Sequence, residues 1–152
     1  MILGIGSDIV DIERIRKVWE RHKERFVKRV FTAGEQATAA RRADPIPTYA
    51  KRFAAKEACA KALGTGLGRG VGFADIEVVN LKGGKPTLRL HNAALTRLKE
   101  MAGLPADCAE PDLPRLHISI SDERDYAQAF VVIEMYTHNN SRIGNTQEGS
   151  TT

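Results

Sequence analysis

Arg52-Phe53-Ala54-Ala55-Lys56-Glu57-Ala58-Cys59-Ala60-Lys61-Ala62-Leu63-Gly64-Thr65-Gly66 is the stretch around which the rest of the chain has to be arranged. Asp44-Pro45-Ile46-Pro47 upstream breaks the chain, because each proline disfavours helix at the residue before it. Pro47 then suits the first turn of a helix running to Leu63, and Gly64 ends it. At about 100° per residue, Phe53 and Lys61 lie beside Glu57, while Ala55, Ala58, Cys59 and Ala62 fall on the far side. The small residues can therefore pack against a neighbour while Glu57 and Lys61 face elsewhere together.

Upstream, Ile2 to Ile5 reads as a short buried strand that Gly4 and Gly6 weaken or open to close backbone approach. From about Asp11 to Val30 the apolar Ile15, Val18, Trp19, Phe26 and Val30 recur at helical spacing, with basic residues on another face. Thr32-Ala33-Gly34-Glu35 is a capping box that opens a second helix through about Arg42. Downstream, Ile76–Leu81 and Thr87–Leu90 read as a hairpin about Lys82-Gly83-Gly84-Lys85. Asn92 is expected to cap a helix that Gly103 closes. A proline-marked loop holds Pro105, Pro111 and Pro114. Leu116–Ser121 alternates as a half-buried strand, and Tyr126–Met135 supplies the last one. Helices early and hairpins later predict an α+β fold rather than a doubly wound parallel sheet. From Thr137 the chain is almost wholly polar, so we expect a domain over 1–136 and a mobile tail over 137–152.

The 152 residues suit one domain, and no apolar run approaches the length of a membrane helix. The start lacks the basic region of a secretory signal, and Cys59 and Cys108 form neither a disulfide framework nor a zinc spacing; a cytoplasmic protein is expected. The net charge of +4 is uneven: eight basic residues between Arg14 and Arg29 face only Glu20 and Glu24, a local +6 that leaves −2 elsewhere. A basic helix on a near-neutral body suits an acidic partner, or is simply a solvated face.

Asp8 follows the first apolar strand, which would place its carboxylate at a strand end or sheet rim, where a helix cap or an ion pair is the commoner fate. Glu57 and Lys61 could equally be an ordinary i,i+4 pair. The run Gly64-Thr65-Gly66-Leu67-Gly68-Arg69-Gly70 follows a helix instead of opening one and has no Gly-Lys-Ser/Thr ending. It is neither a dinucleotide fingerprint nor a P-loop.

Taken together, the stretch from Gly4 through Asp8 to Ile15 resembles the opening motif of the holo-acyl-carrier-protein synthases, and Arg52 to Gly66 resembles that family's second motif. Smaller echoes stand at Phe31-Thr32 with Glu35, Asp75–Val78, Gly84-Lys85-Pro86 and Tyr126–Ala129, in the same order. The resemblance implies a 4′-phosphopantetheinyl transferase fold, a mainly antiparallel sheet packed against helices, assembling as a trimer with clefts shared between protomers. It implies transfer of phosphopantetheine from coenzyme A to a serine of apo-acyl carrier protein, in fatty-acid biosynthesis, with release of 3′,5′-ADP. It places Mg²⁺ on Asp8 and Glu57, Arg52 and Lys61 near the nucleotide phosphates, and the backbone at Gly64 against the coenzyme. Arg14, Arg21 and Arg25 would receive the acidic carrier. Two carboxylates suffice for magnesium if phosphate and water supply further oxygens.

One position departs from the pattern. The family usually has Ser-His where Ser121 is followed by Asp122. Asp122 would either cap the turn after Leu116–Ser121 or serve the cleft through a water or a basic neighbour. His117 reads as a paired surface residue on its strand. A nucleic-acid-binding module built on the basic helix is the leading rival, but Trp19 and Phe26 belong to its apolar stripe and suit a core better than a stacking platform. An inactive protein that keeps the fold for interaction is the second rival.

Overall fold

In the computed structural model, residues 1–68 and 70–136 are described. Arg69 and the polar segment expected to trail from 137 to 152 lie outside them. The order is β1 (Ile2–Asp11), α1 (Ile12–Val30), α2 (Ala33–Ala40), α3 (Ile46–Ala62), a 3₁₀ turn (Phe73–Asp75), β2 (Ile76–Asn80), β3 (Pro86–Leu90), α4 (Asn92–Met101), β4 (Arg115–Glu123) and β5 (Tyr126–Glu134). Strands β1, β5 and β4 form one antiparallel sheet in that order, and β2 and β3 form a separate antiparallel hairpin. The α+β expectation holds.

Strand β1 is longer than its apolar start suggests. It pairs with β5 from Ile5 opposite Val132 to Asp11 opposite Tyr126, so Asp8 stands inside the strand, opposite Ala129, and not at its end. Alternation explains the extension. Gly6 and Val10 are buried with Asp8 on one face, whereas Ile5, Ser7 and Ile9 are exposed on the other. Asp11 ends the strand by accepting hydrogen bonds from the Glu13 and Arg14 amides at 2.8 and 3.3 Å, which caps α1.

Part of the inner face of β1 and β5 is low because Gly4, Gly6, Ala127 and Ala129 carry little or no side chain. Helix α3 lies directly on it with Ala55, Ala58, Cys59 and Ala62, all buried. A Cβ built on Gly4 would overlap the Ala62 carbonyl oxygen, and one on Gly6 the Ala58 carbonyl oxygen. These glycines do not weaken the strand; they let the helix backbone reach it.

Several boundaries differ from expectation for local reasons. The capping box is complete, since the Glu35 amide donates to Thr32 Oγ1 at 3.3 Å and the Thr32 amide to Glu35 Oε2 at 2.8 Å. Helix α2 nevertheless stops at Ala40, two residues short of Arg42. His91, not Asn92, occupies the cap position of α4. Asn92 is the first helical residue at φ 43, and its amide donates to Asp75 Oδ1 at 3.1 Å. Strand β4 runs on to Glu123, so Asp122 pairs across to Ala127 within the strand and caps no turn. Helix α1 is broken at His22, whose φ of −138° and ψ of 31° are non-helical.

The most enclosed polar group is Lys56. Its ammonium lies 2.8 Å from Glu35 Oε2, and neither side chain is exposed at all. It also donates to the carbonyls of Val30 at 2.7 Å and Phe73 at 2.9 Å. Glu35 Oε1 in turn accepts from the Val78 amide at 2.8 Å. The pair ties α1, α2, α3, the 3₁₀ turn and β2 to one point. Burial lowers the Lys56 pKa and the Glu35 charge opposes that fall.

Gly6→Ala should therefore destabilise the fold by about 3 kcal/mol, as overpacking against rigid backbone does. Urea unfolding measures this, and a loss below about 0.5 kcal/mol, the scale of an ordinary surface change, would contradict the close contact.

Candidate active site

Because α3 lies against β1, residues on the two elements meet at their shared edge. Asp8 points inward from β1 with its side chain 17% exposed, and its Oδ1 accepts from Lys61 Nζ at 2.8 Å. The same ammonium donates to the Ser7 carbonyl at 2.9 Å. Glu57, one helical turn before Lys61, is half-buried. Its pKa is raised above the usual carboxylate range, first by burial and then by the neighbouring Asp8 charge, with Lys61 opposing. Asp8, Glu57 and Lys61 thus share one patch. Lys61 makes its ion pair with Asp8, so the ordinary i,i+4 bridge to Glu57 is not what this spacing produces.

Two carboxylates near enough for the Asp8 charge to act on Glu57, with one ammonium paired to Asp8, form an oxygen-rich and under-neutralised site. Among the described residues no cluster of three or more His, Cys, Asp or Glu could enclose a metal. Asp8 and Glu57 alone can offer oxygens to a hard divalent cation, which would draw its other ligands from phosphate and water.

Arg52 is not in this patch. It lies about 140° around α3 from Glu57 and is 7% exposed. Its Nη2 donates to Asn80 Oδ1 at 3.1 Å, while its buried Nε has no partner. Burial lowers its pKa, the Glu35 charge opposing this and the Arg42 charge adding to it. Arg52 walls a cavity of about 650 Å³ together with Arg41, Arg42, Lys51, Glu77 and Asn80. Four cations and one carboxylate give the cavity wall a net positive charge, which suits an anionic ligand. Arg52 Nε is enclosed as well as unpartnered among the described residues, so the more exposed charges of Arg41, Arg42 and Lys51 are the ones that face an incoming anion.

Gly64 has φ 73 and ends α3, its amide bonding the Lys61 carbonyl at 2.9 Å. It borders a smaller hollow with Thr65, Thr96 and Arg97, and Arg97 Nε steadies the turn by donating to the Leu63 carbonyl at 3.0 Å. His117 pairs with Glu134 Oε2 at 2.9 Å on the exposed sheet, as a surface residue would. Asp122 forms an ion pair with Lys51, Oδ1 to Nζ at 2.9 Å. On α1, Arg16 is engaged by Asp44 and Glu13, whereas Arg14, Arg21 and Arg25 are exposed and make no ion pair among the described residues. Trp19 and Phe26 pack against the core.

Arg41, Arg42 and Lys51 were not singled out from the sequence. The adjacent arginines before Asp44-Pro45 were a usable signal, but only the chain reversal there turns them toward Arg52.

The Glu57 shift has a measurable consequence. A carboxyl whose folded pKa exceeds its ordinary value near 4.5 holds more protons in the native state than in the unfolded chain between those two values. Stability therefore falls as pH rises through that window. In metal-free protein, Glu57→Gln should unfold at higher urea than wild type at neutral pH, and the gain should vanish below about pH 4, where both states are protonated. A variant less stable than wild type at neutral pH would contradict this account.

Comparison with known proteins places the chain in a family. The profile of the 4′-phosphopantetheinyl transferase superfamily matches residues 4–131. The holo-[acyl-carrier-protein] synthase of Methylobacterium radiotolerans is 58% identical over 134 residues, covering 88% of this chain and 94% of that protein. That of Caulobacter vibrioides strain NA1000 is 53% identical over 134 residues, covering 88% and 96%. Among solved structures, the synthase from Neisseria meningitidis superposes with a TM-score of 0.72 at 38% identity, covering 88% of this chain and 99% of that one. The Bacillus anthracis synthase in complex with CoA (3′,5′-ADP) gives 0.69 at 36% identity, covering 90% and 99%. The chain belongs to the 4′-phosphopantetheinyl transferase superfamily and, within it, to the holo-acyl-carrier-protein synthases.

Proposed function

We infer that Asp8, Glu57 and Lys61 form the reacting centre of a transferase that moves 4′-phosphopantetheine from coenzyme A to a serine of apo-acyl carrier protein, releasing 3′,5′-ADP, in fatty-acid biosynthesis. The family membership carries the reaction. The convergence of these three side chains on one edge of α3 carries the assignment of residues. The transferase domain is assigned to 1–136, and the place of action to the cytoplasm; no helix among the described residues is long and apolar enough to cross a membrane.

Phosphoryl transfer asks a protein mainly for positioning and for stabilisation of charge. Asp8 and Glu57 fit a Mg²⁺ ion by the chemistry of their oxygens, and burial, with the Asp8 charge adding to it, raises the Glu57 pKa. When bound there, magnesium supplies neutralising charge to the pyrophosphate. Lys61, held by Asp8 and the Ser7 carbonyl, keeps an ammonium half-exposed beside the carboxylates, ready to donate to a phosphate oxygen. The attacking serine must lose a proton, and a carboxylate at the reacting edge such as Glu57, or a water, would accept it. Gly64 leaves the backbone after α3 open to the coenzyme.

The anion-receiving cavity at Arg52 opens on another side of α3 from Glu57. We assign it to the nucleotide phosphates of a coenzyme bound across two protomers, with one contributing Asp8, Glu57 and Lys61 and its neighbour contributing Arg52. The outer face of the sheet supports such an assembly. Ile5, Ile9, Tyr126 and Phe130 are 58, 63, 53 and 45% exposed on strands β1 and β5, an apolar surface that a closed trimer would cover. Arg14, Arg21 and Arg25, without an ion pair among the described residues, are assigned to docking of the acidic carrier.

Incubating the purified protein with apo-carrier, coenzyme A and magnesium should add the phosphopantetheine mass to the carrier. Asp8→Asn and Glu57→Gln should each lower turnover by about 100-fold or more while the protein stays folded, and a chelator should abolish it. Full activity of either variant at low magnesium would rule out the site. Salt-sensitive binding to duplex DNA without transfer would instead favour the nucleic-acid reading.

Reversing Arg14, Arg21 and Arg25 to glutamate should raise KM for the carrier about tenfold or more and leave KM for coenzyme A unchanged. Added salt should mimic the effect, since exposed charges are screened over about 8–10 Å. An equal rise in both KM values would remove the docking role. Light scattering should report a trimer, and an active monomer would eliminate the shared cleft.

A further inference from the structure

The pairing of Asp122 with Lys51 has a consequence for the cation-lined cavity. Lys51 is on its wall, as is Ile120, which precedes Asp122 by two positions on β4 and therefore shares its face. Asp122 faces α3 for that reason, and the small Ala127 opposite leaves its carboxylate room to reach Lys51 Nζ at 2.9 Å. The pair is part-exposed, at 31% for Lys51 and 40% for Asp122. Glu77, the carboxylate on the cavity wall, is already engaged by His91 Nε2 at 3.0 Å and by the Thr32 hydroxyl at 3.1 Å. Arg41 and Arg42 are exposed, and Arg52 Nε is unpartnered. Lys51 is thus the cavity cation whose charge is claimed by a carboxylate at the rim.

We propose that Asp122 is a specificity-determining residue that sets how tightly this cavity holds a phosphate-bearing ligand, its carboxylate occupying the Lys51 ammonium until phosphate oxygens compete for it. The inference rests on the reading of the cavity as the nucleotide-phosphate site. Charge fixes the sign. A carboxylate beside the anion site lowers its potential, and an incoming phosphate must either share Lys51 or displace Asp122 from it. Partial exposure limits the effect, because water and salt screen both partners. The pair works as a brake on anion affinity and favours release of the 3′,5′-ADP product.

Calorimetric titration of the full chain with 3′,5′-ADP tests this without turnover. Asp122→Asn keeps the shape and removes the charge, and it should tighten binding about three- to tenfold at low ionic strength, with the gain shrinking at about 0.5 M salt. Lys51→Ala should weaken binding more in the Asp122→Asn background than in wild type, because Lys51 is then free for the ligand. Asp122→Glu should bind as wild type does, and Asp122→Ser provides a second neutral variant if the asparagine protein unfolds early in urea. Arg52→Ala separates the two readings. If it weakens binding while neutralising Asp122 leaves affinity unchanged or lower, the brake is wrong and the phosphate cavity stands. If neutralising Asp122 tightens binding equally with and without Lys51, the carboxylate does not act through Lys51 and the proposal falls. If Arg52→Ala changes nothing, the cavity reading fails and takes the proposal with it.

Discussion

The contact on which this molecule depends is backbone against backbone, where Gly4 and Gly6 of β1 meet the Ala62 and Ala58 carbonyls of α3. A side chain at either glycine would hold the helix off the sheet by the thickness of a methyl group. The distance matters because the proposed chemistry straddles that seam, with Asp8 on the strand and Glu57 and Lys61 on the helix. A hydrogen bond of 2.8 Å between Lys61 and Asp8 tolerates little retreat. The glycines therefore act on function through packing, without approaching a ligand themselves.

The buried Lys56–Glu35 pair fixes the other side of the same helix. A fully buried ion pair gives little net stability over apolar packing of equal volume, yet removing one partner is costly because it leaves the other charge uncompensated. Here the ammonium also satisfies two carbonyls and the carboxylate two amides, so the polar groups around it are matched. Lys56 precedes Glu57 in sequence and points about 100° away from it. Anchoring Lys56 sets the rotation of α3 about its axis, and that rotation decides where Glu57 faces. The sheet fixes the height of the helix and the ion pair fixes its roll.

Most elements were legible in the sequence because their signals are local. The capping box at Thr32, the Pro47 start and Gly64 end of α3, and the Gly83-Gly84 turn each report on residues a few positions away. What was missed depends on contacts far along the chain. The apolar signal of β1 covers only Ile2 to Ile5, yet pairing to β5 carries the strand on to Asp11. The alternating pattern of Leu116–Ser121 stops before Asp122, whereas the register with Ala127 keeps Asp122 in the strand. For the site, motif resemblance marked Asp8, Glu57 and Lys61, and the fold brings them together. It grouped Arg52 with Lys61, whereas helix geometry alone sets Arg52 on a different side from Glu57. Lys56, a charged residue in an alanine-rich stretch, gave no sign of burial. Its partners lie at 30, 35 and 73, distances no periodicity reports.

Helix α3 thus carries two charge environments that face different ways. One edge holds two carboxylates and an ammonium against β1, a site short of positive charge; another side holds Arg52 and Lys51 against β2 and β4, a site short of negative charge. A single protomer separates the two by the width of its own helix. A pyrophosphate with a nucleotide attached needs both, cation-binding oxygens at the reacting phosphate and guanidinium groups for the remaining phosphates. In the proposed shared-cleft arrangement, this opposed placement on one rigid helix is the reason for assembly, each protomer offering half of two different clefts. The exposed apolar face of the outer sheet is the surface proposed for that association, and the Lys51–Asp122 pair stands on the cation-lined side of α3, apart from the proposed reacting centre.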